Sequence, residues 1–244
     1  MSRVNLIGII LLAIGMSCSQ PESPTITESS PPGASHEGSA FVFDKIRDDV
    51  YLARGTGSLA VGCNTTVIVN EADIMLVDSH ISPAAIWVLM DELKSITDKP
   101  IKYVVNTHFH FDHANGNQML PEGIEIIGHE YTREMIATGH SKSGRSYDSY
   151  IGTLPEQISK VESSLASAGG DSTRAALENR LNYLKNYKEA TDSVVPVAPT
   201  VTMQDSMTIV RGEREIQLLF LGRAHTGGDV VVYLPDEKVV ITGD

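Results

Sequence analysis

A layered α/β sandwich is the fold this sequence predicts, and three observations carry it. Short apolar runs bounded by turn residues recur from Val50 to Thr242 and read as strands. Helical patterns separate several of them, the first opened by Ser82-Pro83. A dense group of metal-ligating side chains directly follows one apolar run, and open α/β sheets carry their sites at strand ends. At 244 residues and 41% hydrophobic content the chain can bury a sizeable core.

Folded sequence is expected from about Ala40. Residues 50–53, 65–69 and 74–77 read as successive strands, with Asn70-Glu71-Ala72-Asp73 as the turn between the last two. Ser82 then serves as N-cap and Pro83 as first-turn residue of a helix whose buried stripe is Ile86, Leu89, Met90 and Leu93. Pro100 marks its end, and 101–105 is a buried strand. Residues 124–127 form another strand and 130–138 a short helix. Residues 139–153 are polar, rich in Ser and Gly, and read as a loop. Helices follow at 155–168 and 172–188, split by Gly169-Gly170, so a helical insert spans about 154–190. Leu177, Leu181, Leu184 and Tyr187 share one face of it. Two roles stand open for this region: a packed insert, or a 141–150 loop that lines the substrate mouth. Strands return at 207–210, 216–220, 229–234 and 238–242, with Pro235-Asp236-Glu237 as a turn.

The most informative stretch is Thr107-His108-Phe109-His110-Phe111-Asp112-His113, which packs three histidines and one aspartate into six residues. Imidazole and carboxylate are natural ligands of first-row metals, and this spacing can serve two ions at once. From a loop, His108 and His110 point the same way, while Asp112 and His113 can turn to a second ion. A strand end has no structural need for four such residues. The stretch resembles the signature of the metallo-β-lactamase-fold superfamily. Gly222-Arg223-Ala224-His225-Thr226-Gly227-Gly228-Asp229 is a second match and Val239-Val240-Ile241-Thr242-Gly243-Asp244 a third, in that family's order. The resemblance runs from about Val50 to the last residue. It implies an αββα four-layer sandwich with the metal site at one edge, between the two sheets.

Carried over residue by residue, the resemblance implies that His108, His110 and His225 hold a first zinc and that Asp112 and His113 bind a second. Asp244 stands where hydrolases of the glyoxalase II and lactonase type place a carboxylate bridging both metals. Two Zn2+ per chain are therefore implied, and iron or manganese also suit His and Asp ligands. A water held between two zincs loses a proton near neutral pH, because zinc lowers a bound water's pKa to about 7. Asp112 is the expected catalytic residue, orienting the hydroxide and relaying a proton to the leaving group. Asp78 resembles the family's aspartate that steadies the ligand loop. His80 and His129 are expected to be structural, and Cys63 a buried small residue.

The family normally continues past the bridging aspartate and supplies one more histidine to the second zinc, whereas this sequence stops at Asp244. A truncated reading frame with an incomplete C-terminus is the expectation, with a second site of Asp112, His113, Asp244 and water. The implied function is a zinc-dependent hydrolase that uses a metal-bridging hydroxide to cleave a small ester, thioester, lactone or amide-type substrate. Lactam-cleaving subclasses usually carry Cys or Ser where Asp244 stands, which points away from β-lactamase activity without excluding it. An iron-dependent redox member of the fold and a metal-binding fragment without activity are the other readings.

The net charge of −12, with no basic stripe, argues against nucleic-acid partners. Cys18 and Cys63 are the sole cysteines, so no disulfide framework exists. Arg3 followed by the apolar residues 4–16 reads as a signal peptide over 1–17, too short to span a bilayer as a helix. Cys18 sits where a bacterial lipoprotein would be cleaved and lipidated, a possible lipid anchor; simple secretion is the other reading. Residues 18–39, rich in Ser, Pro and Thr, read as a flexible tether to a domain over 40–244. The mature chain is thus expected to be exported, to the bacterial periplasm or as a membrane-anchored lipoprotein. No feature of the sequence fixes an oligomeric state.

Overall fold

The computed structural model describes residues 29–244. The expected signal peptide, Cys18 and the start of the tether lie outside them. Two sheets pack face to face. The first has seven strands in sequence order: β1 (Phe41–Arg47), β2 (Val50–Gly55), β3 (Thr65–Val69), β4 (Ile74–Val77), β5 (Ile101–Val105), β6 (Glu125–His129) and β7 (Val201–Met203). Neighbours up to β4 are antiparallel, and those from β4 to β7 are parallel. Parallel neighbours need a crossover, and α1 (Pro83–Glu92) supplies it between β4 and β5. Ser82 caps that helix, its Oγ accepting from the Ala85 amide at 3.2 Å, as the Ser-Pro pair predicts.

Every residue of β3 and β4 is buried, which requires cover on both faces. Successive β4 side chains point to opposite sides. Ile74 and Leu76 join Ile86, Leu89 and Leu93 under α1. Met75 and Val77 face the second sheet and meet Ile216, Leu218, Val230 and Val232. That sheet holds four antiparallel strands in the order β11 (Val239–Ile241), β10 (Val230–Leu234), β9 (Arg214–Phe220), β8 (Ser206–Arg211). The sheet-on-sheet arrangement matches the expected sandwich.

Two strands escaped the sequence reading. β1 mixes Phe41 and Phe43 with Asp44, Lys45 and Arg47, as an edge strand does, and this masks its alternation. β7 has three residues, too few to show a period. Gly33 and Ala34, inside the expected tether, are buried, and Glu92 accepts from the amides of Ala40 and Phe41 at 2.6 and 2.9 Å.

The helical region differs more. After α2 (Phe111–Ala114) and α3 (Glu130–Ala137), the segment 139–153 is not a loop. It forms a short 3-10 turn at His140–Lys142 and then α4 (Arg145–Tyr150). Its Ser and Gly content disfavours helix locally. Tertiary contacts override that, because Tyr147 and Tyr150 lie 5.5 and 6.2 Å from the Phe111 ring. The two expected insert helices are present as α5 (Leu154–Ala166) and α6 (Asp171–Asp192). The sequence preceding β1 docks onto α6: Asn186 Nδ2 donates to the Ser35 carbonyl at 2.9 Å. Gly33, at φ 77°, lies so close to the Asn186 carbonyl that a Cβ there would stand 2.3 Å from it.

Candidate metal centre

Three segments far apart in sequence deliver the candidate ligands to one end of the sandwich. The first is the 107–113 run between β5 and α2. The parallel pairing of β4 with β5 sets Val77 against Val105, so Asp78 follows β4 at the level of Asn106, one residue before Thr107. Asp78 Oδ1 accepts from the Thr107 amide at 2.8 Å, and Oδ2 accepts from Thr107 Oγ1 at 2.8 Å. His113 Nδ1 lies 2.7 Å from that same Oδ2, which leaves Nε2 free to face the centre. Asp78 and His80 hold φ of 69° and 66°, left-handed values that cost a non-glycine residue energy and collect at functional sites.

The second segment is the turn after β9, which carries His225. Asp229 ties it together, accepting from the Ala224 amide at 3.1 Å, the Thr226 amide at 2.9 Å and Thr226 Oγ1 at 2.6 Å. The Val230 amide then donates to the Thr107 carbonyl at 2.8 Å, which docks this turn on the first segment. The third segment follows β11. Gly243, at φ 67°, passes Thr107 so closely that a Cβ would sit 2.6 Å from its Oγ1, and this approach delivers Asp244.

The side chains converge. His110 Nδ1 lies 3.1 Å from His108 Nε2 and 3.0 Å from His225 Nε2. Nitrogens bound tetrahedrally to zinc at about 2.0–2.1 Å stand about 3.3 Å apart, close to these spacings. On the other side His113 Nε2 lies 3.1 Å from Asp244 Oδ1 and 3.7 Å from Asp112 Oδ2. Asp244 Oδ2 reaches within 3.6 Å of His225 Nε2. Asp244 thus touches both groups, one carboxylate oxygen toward each. The structure brings together all six sequence-expected ligands: His108, His110, Asp112, His113, His225 and Asp244.

The electrostatics at the His108 and His110 side suit a cation. Burial pulls His108 down to about 3, with His113 adding to it, and burial followed by His225 lowers His110. Both imidazoles therefore keep their lone pairs at neutral pH. Burial also pulls His113 down, but the carboxylates of Asp78, Asp244 and Asp112 outweigh it and lift it to about 10. The His113 hydrogen bond holds Asp244 at about 2, while burial raises Asp112. Neutral imidazole nitrogens aimed at one point, beside a carboxylate reaching both groups, fit borderline divalent metals.

His80 and His129 are structural, as expected. His80 is fully buried with Nε2 2.9 Å from Thr65 Oγ1, and burial lowers it to about 3. His129 caps α3 by accepting from the Tyr131 amide at 3.0 Å. His140 pairs with Thr138 at 2.8 Å. Cys63 is the residue sequence reasoning placed least well. Its ligand atom and those of Asp78 and His113 all lie within 4.8 Å of one another, beside the second group. Burial, then Asp78, raises its thiol pKa. It precedes the ligand run by more than forty positions, and only the sheet, which sets the start of β3 beside the ends of β4 and then β5, brings it there.

Asp78→Asn is expected to weaken zinc binding about 10–100-fold, because the amide no longer fixes His113 in the tautomer that faces the centre. Competition titration against a chromophoric chelator measures this; affinity within twofold of the parent would refute the role.

The model of the metallo-beta-lactamase superfamily matches residues 59–244. A linear primary-alkylsulfatase from Pseudomonas sp. (strain ATCC 19151) is 27% identical over 174 residues, 70% of this chain and 31% of that protein. The chain thus spans about a third of the length of this curated relative. Among solved structures, a metallo-beta-lactamase from Pontibacter korlensis superposes with a TM-score of 0.54 at 18% identity, over 82% of this chain and 69% of that one. A stereoselective inverting sec-alkylsulfatase from Pseudomonas sp. gives 0.51 at 17% identity, over 80% and 30%. At such identities the structural likeness shows the fold alone.

Proposed function

From the premise that the chain belongs to the metallo-β-lactamase superfamily, we propose that it is an exported dinuclear zinc hydrolase that cleaves a small ester-type substrate. Fold alone does not choose a reaction. The observation that carries the reading is the Asp244 carboxylate, with Oδ1 3.1 Å from His113 Nε2 and Oδ2 3.6 Å from His225 Nε2. A carboxylate so placed suits two ions held side by side. His108, His110 and His225 would hold one, and Asp112, His113 and Asp244 the other. Zinc, when bound, supplies Lewis acidity at the scissile group and an acidified water with a pKa of about 7. Asp112, with Oδ2 3.7 Å from His113 Nε2, would orient the acidified water and relay its proton to the departing oxygen. Asp78 and Thr107 keep the His113 imidazole in register throughout.

Carboxylic esters, thioesters and lactones are the first substrate class. A second reading, a sulfate ester of an alkyl alcohol, is favoured by the 27% identity to a linear primary-alkylsulfatase. The test begins with metal analysis of the zinc-loaded chain, followed by turnover of 4-nitrophenyl butyrate, decyl sulfate and nitrocefin. About two zincs per chain with the ester turned over fastest supports the proposal. Preference for decyl sulfate replaces it by the second reading. Nitrocefin preference, or two zincs with no turnover, overturns it.

Export and lipidation at Cys18 belong to this proposal and rest on the sequence alone. Fractionation should find the protein with membranes and the Cys18→Ala variant released from them. Wild-type protein in the soluble fraction would sink the anchor.

A further inference from the structure

Two cavities meet at Gly62, Asp112 and Asp244. The larger, about 590 Å³, runs toward the second sheet and reaches Asp112, His113 and Asp244 but neither His110 nor His225. The smaller, about 330 Å³, touches His110, His225, Asp112 and Asp244 together. Only this one gives a reacting bond access to both ligand groups, and its volume lies in the range of small-molecule sites, about 300–1,000 Å³.

Its far wall comes from α4 and from α6 of the helical insert. Tyr150 and Ser146 of α4 and Tyr183 and Tyr187 of α6 face the ligands across the space. The Tyr183 and Tyr187 rings stand 6.3 Å apart, and Tyr150 is 62% exposed. Among the described residues, none of these three hydroxyls has a hydrogen-bond partner. Burial raises the Tyr187 pKa, and Tyr183 and the Asp112 carboxylate add to the rise, so Tyr187 stays a donor. Among the described residues, no Lys or Arg lines this cavity. The Arg180 guanidinium stacks on the Tyr183 ring at 5.3 Å from outside the lining, so the surface offered to a ligand is aromatic, and a flat or aliphatic neutral group would bury against it.

We propose that Tyr150, Tyr183 and Tyr187 form the specificity wall of the site, taking up an uncharged aromatic or aliphatic substituent that carries an acceptor oxygen, to which the Tyr187 hydroxyl donates a hydrogen bond. These two helices thereby select the substrate, and the ligand loop performs the chemistry. This rests on the hydrolase reading for the identity of the bound molecule, but the wall can be tested without turnover.

The probe is acetophenone, a neutral aromatic ketone with a hydrogen-bond acceptor and no hydrolysable bond. Its binding to the zinc-loaded full chain is followed by ligand-observed NMR titration. Tyr150→Leu, which keeps an apolar side chain against Phe111, should raise the Kd about fivefold through lost aromatic contact. Tyr187→Phe keeps the packing and should raise it about fivefold through the lost donor. No binding by the parent, or equal Kd in all three proteins, overturns the proposal. Binding that weakens as expected in a protein that hydrolyses none of the ester panel upholds the wall and removes the hydrolase reading. Turnover of aryl esters with no acetophenone binding does the reverse.

Discussion

His110→Ala is expected to lower hydrolysis by more than about 100-fold and to reduce the zinc retained per chain. Loss of a residue that only orients a ligand already costs about 10–100-fold, and His110 is itself a candidate ligand. Its Nδ1 is the atom that lies within 3.1 Å of His108 Nε2 and 3.0 Å of His225 Nε2. Alanine leaves the two outer imidazoles without the atom that both approach. The ring is half-buried and lies outside the three hydrophobic clusters. The metal-free variant should therefore melt within about 2 °C of the metal-free parent, since substitutions away from core features change stability little. Metal content by mass spectrometry, activity and a melt in chelator together decide. Full activity with full zinc content would remove His110 from the centre.

Phe111→Ala should be the most destabilising single change in the ligand loop. Phe111 is 4% exposed and packs with Ile81, Ala85, Ile151, Leu154 and Leu184, while Tyr147 meets its ring edge-on at 5.5 Å. Truncating a buried Phe to Ala costs about 3–5 kcal/mol through lost burial and the cavity left behind. In a domain of this size that corresponds to a fall in Tm of about 10 °C. His110 and Asp112 flank Phe111 in the chain, so zinc affinity should fall with stability. Phe111→Leu, which keeps most of the volume, should recover most of both. A Phe111→Ala melt within about 2 °C of the parent would show that the insert does not hold the loop.

The ligand run was legible because all its information is local. Four ligand-type residues after an apolar strand need no tertiary knowledge to be noticed. Asp78 shows locally only as a carboxylate at a strand end, and its role was legible through resemblance. His225 and Asp244 were legible only through resemblance, because nothing in a Gly-rich turn or a strand end announces a partner over a hundred positions away. The fold's central strands were plain, since β3 and β4 are buried on both faces and read as continuous apolar runs. α4 was missed for the opposite reason. Its sequence disfavours helix, and it exists because Tyr147 and Tyr150 meet Phe111, a contact that sequence spacing does not reveal. The tyrosine wall was hidden in the same way, with Tyr187 reading as one more residue on a helix face.

The separation of the ligands has a further consequence, for unfolding. His110 and His225 lie 115 positions apart, yet their nitrogens meet at 3.0 Å. An ion gripped by both acts as a reversible cross-link around that long loop. A covalent link closing about 100 residues restricts the unfolded chain by about 4.7 kcal/mol in the chain-entropy account. With the ion in place, the second sheet is fastened to the first at the ligand end and the two should come apart together. In chelator that fastening is gone. Amides of β10 and β11 should then exchange with solvent well before those of β3 and β4, splitting one cooperative unit into two.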